Sequence, residues 1–405
     1  MQKILVISYF FPPSGGPAVQ RNLKLCKYLS EMGCETSVLT SDKKAYKVLD
    51  ESLVKEIPEA VKVYRCRFND YNRKFGKNVL CNKILALTNV ILNLPDNKLF
   101  WNLKLKKYID YIMVKNHIDT VIISIPPYST AMLTKYIKCR YNKQVIIDYR
   151  DPWVHSPIQR FLPFYKLINK KLEGNVLKKV DGIISVSKPI INKIVDEYDF
   201  KKKTQVIPNG YDKEAMLQPN LVENEKFTIT FIGNFSSKNN PNNLIIAIDE
   251  AISEGYINKE KINLIFVGNN EKYASSEYIS CTGYLPHNEV FNYTKNTDLL
   301  LLVLNSNNNL GTYSGKIFEY IVSSKPILAI VPKAGVAAEL IRETNTGFIA
   351  EESDIKEIKE TLIKSYNLWK KHKLVINGNY DVIKRYSRYE LTKKILEFIN
   401  IKNEV

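Results

Sequence analysis

The sequence predicts an α/β protein made of two tandem domains, each with a parallel sheet. Its 405 residues exceed what one core usually holds, at about 150 residues per domain. Short β-branched apolar runs alternate with amphipathic stretches through both halves, a pattern typical of parallel strands joined by crossover helices. The runs are continuously apolar, as expected for strands that helices cover on both faces.

The predicted strands are read from these apolar runs in chain order. In the first half they span residues 4–8, 36–40, 120–124, 144–148 and 182–187. In the second half they span residues 228–232, 263–267, 299–304, 326–331 and 347–350. Two such domains in tandem would enclose a cleft at the carboxyl ends of their strands, which is where open α/β sheets bind ligands.

Turn chemistry at Pro208-Asn209-Gly210 places a domain boundary near this point. We therefore predict an N-terminal Rossmann-like domain over 1–204 and a C-terminal one over 205–379. A last segment, 380–405, has helical apolar spacing. Ser387 followed by Glu390 is a capping-box pattern that would start its final helix.

The net charge is +17, and nearly all of the excess lies in the first 200 residues, most densely over 62–118. Such a half should attract a polyanion: nucleic acid, an anionic membrane face or a phosphorylated substrate. Aromatic residues within the basic segment favour a lipid interface. The alternative is a lysine-rich solvated face. No helix-turn-helix, zinc-finger or RNP pattern is recognisable, so nucleic acid is not expected.

Cysteines and histidines are scattered without metal-ligand or disulfide spacing, so neither a metal site nor a disulfide framework is expected. The first residues read as a buried strand rather than a signal peptide. No apolar run approaches the ~20 residues of a membrane span. We expect a cytoplasmic protein.

Two motifs in the first half could carry chemistry. Gly15 and Gly16 follow the first strand and precede a helix, an arrangement that suits a diphosphate. The spacing is neither a dinucleotide fingerprint nor a Walker A loop, and a tight turn that needs glycine is the alternative. Arg150 and Asp151 end the fourth predicted strand. Asp151 could hold a sugar hydroxyl and Arg150 a phosphate or carboxylate, or the two could pair locally.

Two motifs stand out in the second half. Gly233 and Asn234 follow a strand, and Lys238 could meet a phosphate or be a solvated lysine. The segment from Ser314 through Gly315 and Lys316 predicts a helix that opens at glycine and carries Glu319 in its second turn. A carboxylate there could take both hydroxyls of a ribose. An i,i+3 pair with Lys316 is the alternative, weakened because Glu319 lies between Phe318 and Tyr320.

At these residues the chain resembles the retaining glycosyltransferases of family 4, whose two-Rossmann-domain architecture is called GT-B. The resemblance covers nearly the whole length, and its closest look-alikes are bacterial enzymes that build capsule, exopolysaccharide or O-antigen chains. It rests on seven motifs in order: Pro-Pro-Ser-Gly-Gly, Asp-Tyr-Arg-Asp-Pro-Trp, Ile-Pro-Asn-Gly-Tyr-Asp, Phe-Ile-Gly-Asn-Phe, Gly-Tyr-Leu-Pro, Ser-Gly-Lys-Ile-Phe-Glu-Tyr and Thr-Gly-Phe.

The resemblance implies roles for individual residues and a final helix that crosses back onto the N-terminal domain. The implied catalytic residues are Lys238, which neutralises the leaving phosphates, Glu319, which binds the ribose, and the pair Arg150 and Asp151. The implied donor-binding residues are Gly15, Gly16, Gly233, Asn234, Lys238, Gly283, Tyr284, Leu285, Ser314, Gly315, Lys316 and Glu319, of which Gly283 to Leu285 meet the base.

The chain departs from the family at four places. Gly311 stands where many members have an acid, and Asn234 stands where they have arginine. Many members have a histidine where this chain has Arg150, which suggests a different sugar or acceptor. In an ungapped alignment the family's lysine falls on Asn239, so Lys238 takes its role only after a one-residue slip.

The resemblance implies retaining transfer of a sugar from a nucleotide-diphosphate-sugar to a hydroxyl of a glycan acceptor, carried on a polyprenyl diphosphate. No Asp-x-Asp motif is present, so no metal is expected, and no cofactor is expected either. An anionic surface at the inner face of the cell membrane is the expected partner, with peripheral attachment there. Two alternatives stay open: another GT-B enzyme, such as a nucleotide-sugar epimerase or an inverting transferase, and a non-catalytic nucleotide-sugar-binding module.

Overall fold

A computed structural model of the chain describes residues 1–67, 94–154, 163–212, 224–236, 239–274, 276–285, 287–305 and 310–401. The chain divides into two compact units. Unit 1 comprises Met1–Asn209 and Leu391–Val405, and unit 2 comprises Gly210–Glu390. Each unit is an α/β domain with its own parallel sheet, as the sequence predicts.

Unit 1 contains a seven-stranded sheet in the order β3-β2-β1-β4-β5-β6-β7. Its strands are parallel to their neighbours throughout. The strands are β1 Lys3–Ile7, β2 Glu35–Ser41, β3 Lys62–Cys66, β4 Thr120–Ile125, β5 Gln144–Tyr149, β6 Gly182–Ser185 and β7 Lys203–Val206. The helices are α1 Pro17–Glu31, α2 Leu99–Asn116, α3 Leu133–Tyr141, α4 Pro163–Leu177 and α5 Lys188–Tyr198. Short 3-10 turns cover Lys43–Ala45, Glu51–Glu56 and Tyr128–Met132.

Unit 2 contains a six-stranded parallel sheet in the order β10-β9-β8-β11-β12-β13. The strands are β8 Phe227–Ile232, β9 Ile262–Val267, β10 Ile279–Cys281, β11 Leu299–Val303, β12 Ile327–Ile330 and β13 Gly347–Ala350. The helices are α6 Asn242–Ser253, α7 His287–Lys295, α8 Ile317–Tyr320, α9 Val336–Thr344, α10 Ile355–Lys370 and α11 Tyr380–Lys384. Helix α12, Arg388–Asn400, follows. Two 3-10 turns cover Lys259–Lys261 and Glu271–Tyr273.

The continuous apolar strands arise because each sheet is covered on both faces. In β1, Leu5 and Ile7 belong to one core cluster, whereas Ile4 and Val6 belong to the cluster on the opposite face. In β11, alternate leucines divide in the same way between the two core clusters of unit 2. Successive side chains of a strand point to opposite faces of the sheet. When both faces are buried, the side chains on both faces must be apolar.

The last helix packs against unit 1. Leu391, Ile395 and Phe398 lie in the core cluster that also contains Ile4 of β1. The Gln144 side chain donates a hydrogen bond to the carbonyl of Ile399 at 2.9 Å. One of the two hydrogen bonds of the predicted capping box is confirmed: the Glu390 backbone N–H donates to Ser387 Oγ at 3.2 Å.

The observed unit boundaries fall at 209/210 and 390/391, five and eleven residues beyond those predicted. Ile207 is buried in the core of unit 1, so the chain belongs to unit 1 as far as the Pro-Asn-Gly turn. Ile383 is buried in the core of unit 2, and the Tyr211 N–H donates to the Tyr386 carbonyl at 3.1 Å. Residues 380–390 therefore belong to unit 2, and only the remainder returns to unit 1.

Within the described part of the chain, no helix is long and apolar enough to cross a bilayer. Helix α2 covers the second part of the basic segment 62–118, while residues 68–93 lie outside the described residues.

Candidate functional site

The glycine loop of unit 1 leads directly into helix α1. Gly16 is the N-cap residue, with φ of 92°, and within the described part of the chain no side chain caps the helix. An added Cβ at Gly16 would meet none of the described atoms within 4 Å. Gly15 is held differently, because its N–H donates to the Val48 carbonyl at 2.9 Å. The start of α1 is therefore open, with backbone N–H groups available to an anionic ligand.

A buried ion pair that sequence reasoning missed lies beside this loop. Arg21 of α1 makes two hydrogen bonds to the Asp148 carboxylate, at 2.8 and 2.7 Å. The Asp148 side chain is 1% exposed. Arg21 also donates to the carbonyls of Ile207 and Pro208 at 2.9 and 3.0 Å. One guanidinium thus joins α1, the end of β5 and the segment that leads out of unit 1. The five-residue spacing from Gly16 to Arg21 was the only sequence signal.

Arg150 lies where the sequence placed it, at the end of β5, but its guanidinium faces the main chain. Its Nη1 donates to the Ala18 carbonyl at 2.8 Å, and Nε and Nη2 donate to the carbonyls of Ile125 and Pro126. Burial lowers the pKa of the Arg150 guanidinium. Asp151 is exposed. The structure therefore brings Arg150 to the first turn of α1, where it fixes the backbone beside Gly16.

Glu173 of α4 is a buried carboxyl group in unit 1. It is 2% exposed and accepts a hydrogen bond from the Tyr198 hydroxyl at 2.8 Å. Burial raises the pKa of Glu173 to about 7, and the hydrogen bond from Tyr198 offsets part of this rise. Glu173 thus joins α4 to Tyr198, the last residue of α5.

In unit 2, two glycine turns meet at the carboxyl ends of β8 and β9. Gly233 has φ of 132° and Gly268 has φ of 139°. A Cβ on Gly268 would lie 2.4 Å from the Gly233 carbonyl oxygen and 2.7 Å from Asn234 Oδ1. Asn270 donates to the Gly233 carbonyl at 2.8 Å and accepts from the Phe235 N–H at 2.8 Å. Asn234, the departure from the family arginine, accepts from the Asn269 N–H at 2.8 Å.

The third turn, after β10, joins this pair. Gly268 and Gly283 form an isolated antiparallel bridge, and Gly283 has φ of 71°. Tyr284 is 82% exposed, and Leu285 packs partly against the core. The predicted residues Gly233, Asn234 and Gly283 therefore lie together, and Gly268 is the residue between them that the sequence prediction missed. Its signal was a Val-Gly-Asn-Asn turn directly after an apolar strand.

The helix that carries Glu319 is shorter than predicted. It covers only Ile317–Tyr320, so Glu319 lies in its first turn rather than its second. The chain from Ser314 to Lys316 forms turns, and Ser314 Oγ accepts from the Lys316 N–H at 3.2 Å. Gly315 is exposed, and an added Cβ there would meet no atom within 4 Å. The i,i+3 alternative is observed, since Lys316 Nζ lies 2.9 Å from Glu319 Oε2.

Glu319 is nevertheless held at the same edge of the sheet as the glycine turns. Its neighbour Tyr320 is 1% exposed, and the Tyr320 hydroxyl accepts from the Ile232 N–H at 3.1 Å. Burial raises the pKa of the Tyr320 hydroxyl, so it stays neutral. Gly311, where the family has an acid, is half-buried in the turn before this helix.

Lys238 lies outside the described residues, so its assignment stays a prediction. On either side of it, Ser236 and Asn239 pair, with the Ser236 N–H donating to Asn239 Oδ1 at 2.9 Å. Asn239 also donates to the Asn234 carbonyl at 3.3 Å. Ser236 and Asn239 therefore lie next to the Gly233 turn.

A cavity of about 250 Å³ opens at the carboxyl ends of β11 and β12 in unit 2. Its walls come from the start of α6, from the last residues of β11 and β12, and from residues that follow β11 and β13. It is lined by Asn240, Pro241, Asn242, Asn243, Leu244, Val303, Asn305, Ile330 and Glu352. Among the described residues no group of three His, Cys, Asp or Glu could hold a metal ion, and independence from metal stays a prediction.

Two family models together cover most of the chain. The model described as Glycosyltransferase Family 4 matches residues 18–215. The model described as Glycosyl transferases group 1 matches residues 212–382. The chain belongs to the family 4-like glycosyltransferases. The resemblance inferred from the motifs is confirmed at this level, and the glycine, Arg150 and Glu319 motifs described above lie within or directly before the matched ranges. A comparison with curated proteins gives no match.

Solved structures share this glycosyltransferase's two-domain GT-B fold at low sequence identity. A sucrose-phosphate synthase from Thermosynechococcus elongatus is 12% identical, with a TM-score of 0.65 and 98% of each chain covered. Anabaena HepE in complex with UDP-glucose is 13% identical, with a TM-score of 0.63 and coverage of 98% of this chain and 99% of the other. A UDP-GlcNAc 2-epimerase from Methanocaldococcus jannaschii is 13% identical, with a TM-score of 0.55 and coverage of 98% and 99%. At such identities the likeness establishes the fold, on which transferases and an epimerase both occur.

Proposed function

We propose that this glycosyltransferase moves a sugar, with retention, from a nucleotide-diphosphate-sugar to a hydroxyl of a glycan acceptor. The observation that carries the proposal is the meeting of the turns at Gly233, Gly268 and Gly283, with Glu319 held at the same edge through Tyr320. Glycine at these turns lets a ligand approach the backbone closely. The complex of the similar Anabaena protein with UDP-glucose supports this class of donor.

In this proposal the two units supply different parts of the reaction. The Glu319 carboxylate binds the ribose, and the backbone of Gly283 to Leu285 meets the base. Lys238, and Lys316 beside Gly315, neutralise the diphosphate that leaves. In unit 1 the open start of α1 at Gly16 presents N–H groups to phosphate oxygens or to the acceptor, and Arg150 fixes that first turn.

Retention is proposed to occur with the departing phosphate taking the proton of the acceptor hydroxyl on the same face of the sugar. The bond from the anomeric carbon to the phosphate oxygen breaks while the bond to the acceptor oxygen forms. The protein's share is preorganised positive charge and backbone N–H groups at the leaving diphosphate. A pair of catalytic carboxylates, as hydrolases use, is not required.

The acceptor is proposed to be a growing glycan on a polyprenyl diphosphate, in the synthesis of capsule, exopolysaccharide or O-antigen. Such a carrier would place the reaction at the inner face of the cell membrane. The basic first half of the chain supports this, because its charge suits an anionic lipid surface.

The test begins with the donor. Thermal unfolding of the purified protein is measured with a panel of nucleotide sugars, since a ligand at 100 times its dissociation constant adds ~2.7 kcal/mol of stability. Glu319→Gln and Lys238→Ala should each abolish most transfer while leaving the unliganded melting temperature unchanged. Glu360→Gln and Lys261→Ala, at exposed positions of the same unit, are the matched controls. Near-wild-type turnover by both site variants would refute the assignment.

An epimerase on the same fold is the second candidate, favoured by the similar UDP-GlcNAc 2-epimerase structure. An epimerase changes the donor without an acceptor, whereas a transferase releases nucleotide diphosphate only as the glycan grows. Product analysis with and without acceptor separates the two, and the anomer of the product separates retention from inversion.

A further inference from the structure

Exposed apolar side chains are concentrated at one end of unit 1, where strands β1, β4 and β5 finish. Six large side chains are at least half exposed there, in three pairs on three segments. They are Val48 and Leu49, Phe100 and Leu103, and Phe164 and Leu167, with exposed fractions between 50% and 67%. We call these six residues the apolar patch.

Named contacts hold the first two segments of the patch together. The Tyr9 side chain donates to the Ala45 carbonyl at 3.3 Å, and the Tyr46 hydroxyl donates to the Tyr9 carbonyl at 2.9 Å. The Tyr9 ring also contacts Trp101 in an edge-to-face arrangement, with ring centroids 4.9 Å apart. Lys98 Nζ lies 5.0 Å from the centre of the same ring. The segment before Val48 and the start of α2 therefore pack on one tyrosine.

The third segment is joined to the second in the same way. The Tyr165 hydroxyl, next to Phe164 in α4, donates to the Pro95 carbonyl at 2.8 Å. Asp96 in turn accepts from the Ser129 N–H at 2.8 Å, which ties this segment to the residues after β4. All three pairs thus lie at the carboxyl end of the sheet, the end at which the Gly15–Gly16 loop also lies.

Charge around the patch is mainly positive, although Asp50 and Glu51 follow the first pair directly and are exposed. The stretches 43–49, 97–109 and 163–172 contain ten lysines and no acidic residue. Lys47, Lys104, Lys107 and Lys166 are exposed. Apolar groups that project from a lysine-rich surface match the chemistry of an anionic bilayer, whose headgroups attract the lysines while its acyl boundary takes the apolar side chains.

We propose that the apolar patch and its lysines form the surface by which unit 1 docks on an anionic lipid bilayer. The inference rests on the proposed function for its purpose, since a polyprenyl-linked acceptor has to be met at a membrane. The six side chains of the apolar patch are those that enter the lipid boundary. Two of the three segments that carry them lie outside the basic stretch 62–118.

Vesicle sedimentation of the full chain tests the proposal. Wild type should pellet with phosphatidylglycerol–phosphatidylcholine vesicles, less so at high salt, and should not pellet with phosphatidylcholine alone. Phe100→Ser combined with Phe164→Ser should weaken the partition coefficient by at least about tenfold, because two large apolar side chains no longer enter the lipid. The matched control is Val114→Ser. Val114 is 67% exposed on the same helix, about 21 Å further along at 1.5 Å per residue.

A charge-reversal pair tests the lysines separately. Lys104→Glu with Lys166→Glu should weaken binding to anionic vesicles by more than about tenfold. Lys371→Glu with Lys373→Glu, exposed in unit 2, makes the same change in net charge and should leave binding within about twofold to threefold. Melting temperatures of all variants confirm that each is folded.

Three results would overturn the proposal: equal pelleting with neutral and anionic vesicles, equal binding by the phenylalanine variant and Val114→Ser, or equal loss in both lysine pairs. If wild type self-associates without lipid and the phenylalanine variant does not, the patch is an interface with a second copy instead. Stabilisation by nucleotide sugars, measured on the same variants, keeps the two proposals apart. Its absence in wild type defeats the proposed function, whereas vesicle binding alone decides the docking surface.

Discussion

Replacing Asp148 by asparagine should destabilise unit 1 more than any surface change. Asp148 is fully buried and receives both short hydrogen bonds from Arg21, whose side chain is only 8% exposed. Removing one partner of a buried ion pair costs about 3–5 kcal/mol, because the other charge stays buried without compensation. At about 2–4 °C per kcal/mol for a domain of this size, the melting temperature of unit 1 should fall by ~6–20 °C.

The tryptophans allow unit 1 to be followed by itself. Of the three tryptophans, Trp101 and Trp153 are buried in unit 1, and Trp369 lies in unit 2. In a Trp369→Phe background, fluorescence therefore reports the unfolding of unit 1. The control is Asp199→Asn, whose carboxylate is 81% exposed beside Lys201 and should matter by no more than about 1 kcal/mol.

The double variant Arg21→Met with Asp148→Asn makes the test stricter. It removes both charges, so its loss should be smaller than the sum of the two single losses. Two results would contradict the view that this pair holds together α1, β5 and the Ile207–Pro208 segment. One is an equal melting temperature for Asp148→Asn and the Asp199→Asn control. The other is a loss of stability in the double variant that equals the sum of the two single losses.

Three further predictions follow from individual positions. Gly268→Ala should lower the melting temperature of unit 2 and weaken stabilisation by nucleotide sugars, because its Cβ would lie 2.4 Å from the Gly233 carbonyl oxygen; unchanged donor binding would contradict this. Gly16→Ala meets no described neighbour within 4 Å, but its backbone, with φ of 92° and ψ of 174°, is one that glycine alone adopts readily. The change should therefore cost about 1–3 kcal/mol of backbone strain in an unfolding titration and lower transfer strongly. Glu173→Gln tests how stability depends on pH. The pKa of Glu173 is raised to about 7 in the folded protein, so the folded state binds more protons than the unfolded state does. The free energy of unfolding of the wild type should therefore fall by up to ~3 kcal/mol between pH 4.5 and 8. The variant should lack that slope, and parallel pH profiles of wild type and variant would refute it.

The strands could be predicted from the sequence wherever both of their faces are buried. All ten predicted strands are present, each within one or two residues at either end. The three that were missed, β3, β7 and β10, lie at sheet edges and expose part of their side chains. A half-exposed edge strand of three to five residues leaves no apolar run that a pattern could detect.

The sequence motifs of the candidate site could be predicted, but the contacts between their residues could not. Gly233, Asn234 and Gly283 follow strand ends, and parallel strands bring their carboxyl ends to one edge. The pairing of Arg21 with Asp148 spans 127 positions, and the absence of space at Gly268 depends on a carbonyl 35 positions away, so local sequence shows neither. For the same reason the sequence could not show that Arg150 donates to three carbonyl groups, which only the fold brings together; its role in ligand binding stays a prediction.

The pair between Lys316 and Glu319 does not compete with the ribose role proposed for Glu319. The two side chains are 30% and 37% exposed, and an ion pair with that much solvent contributes about 0–1 kcal/mol. Two hydrogen bonds from a ribose diol to a carboxylate can exceed that amount. The position of Glu319 does not depend on the pair either. Tyr320, buried and bonded to the end of β8, fixes the backbone at Glu319 to the edge where the glycine turns meet. The lysine can therefore turn to a phosphate while the carboxylate stays in place for the nucleoside.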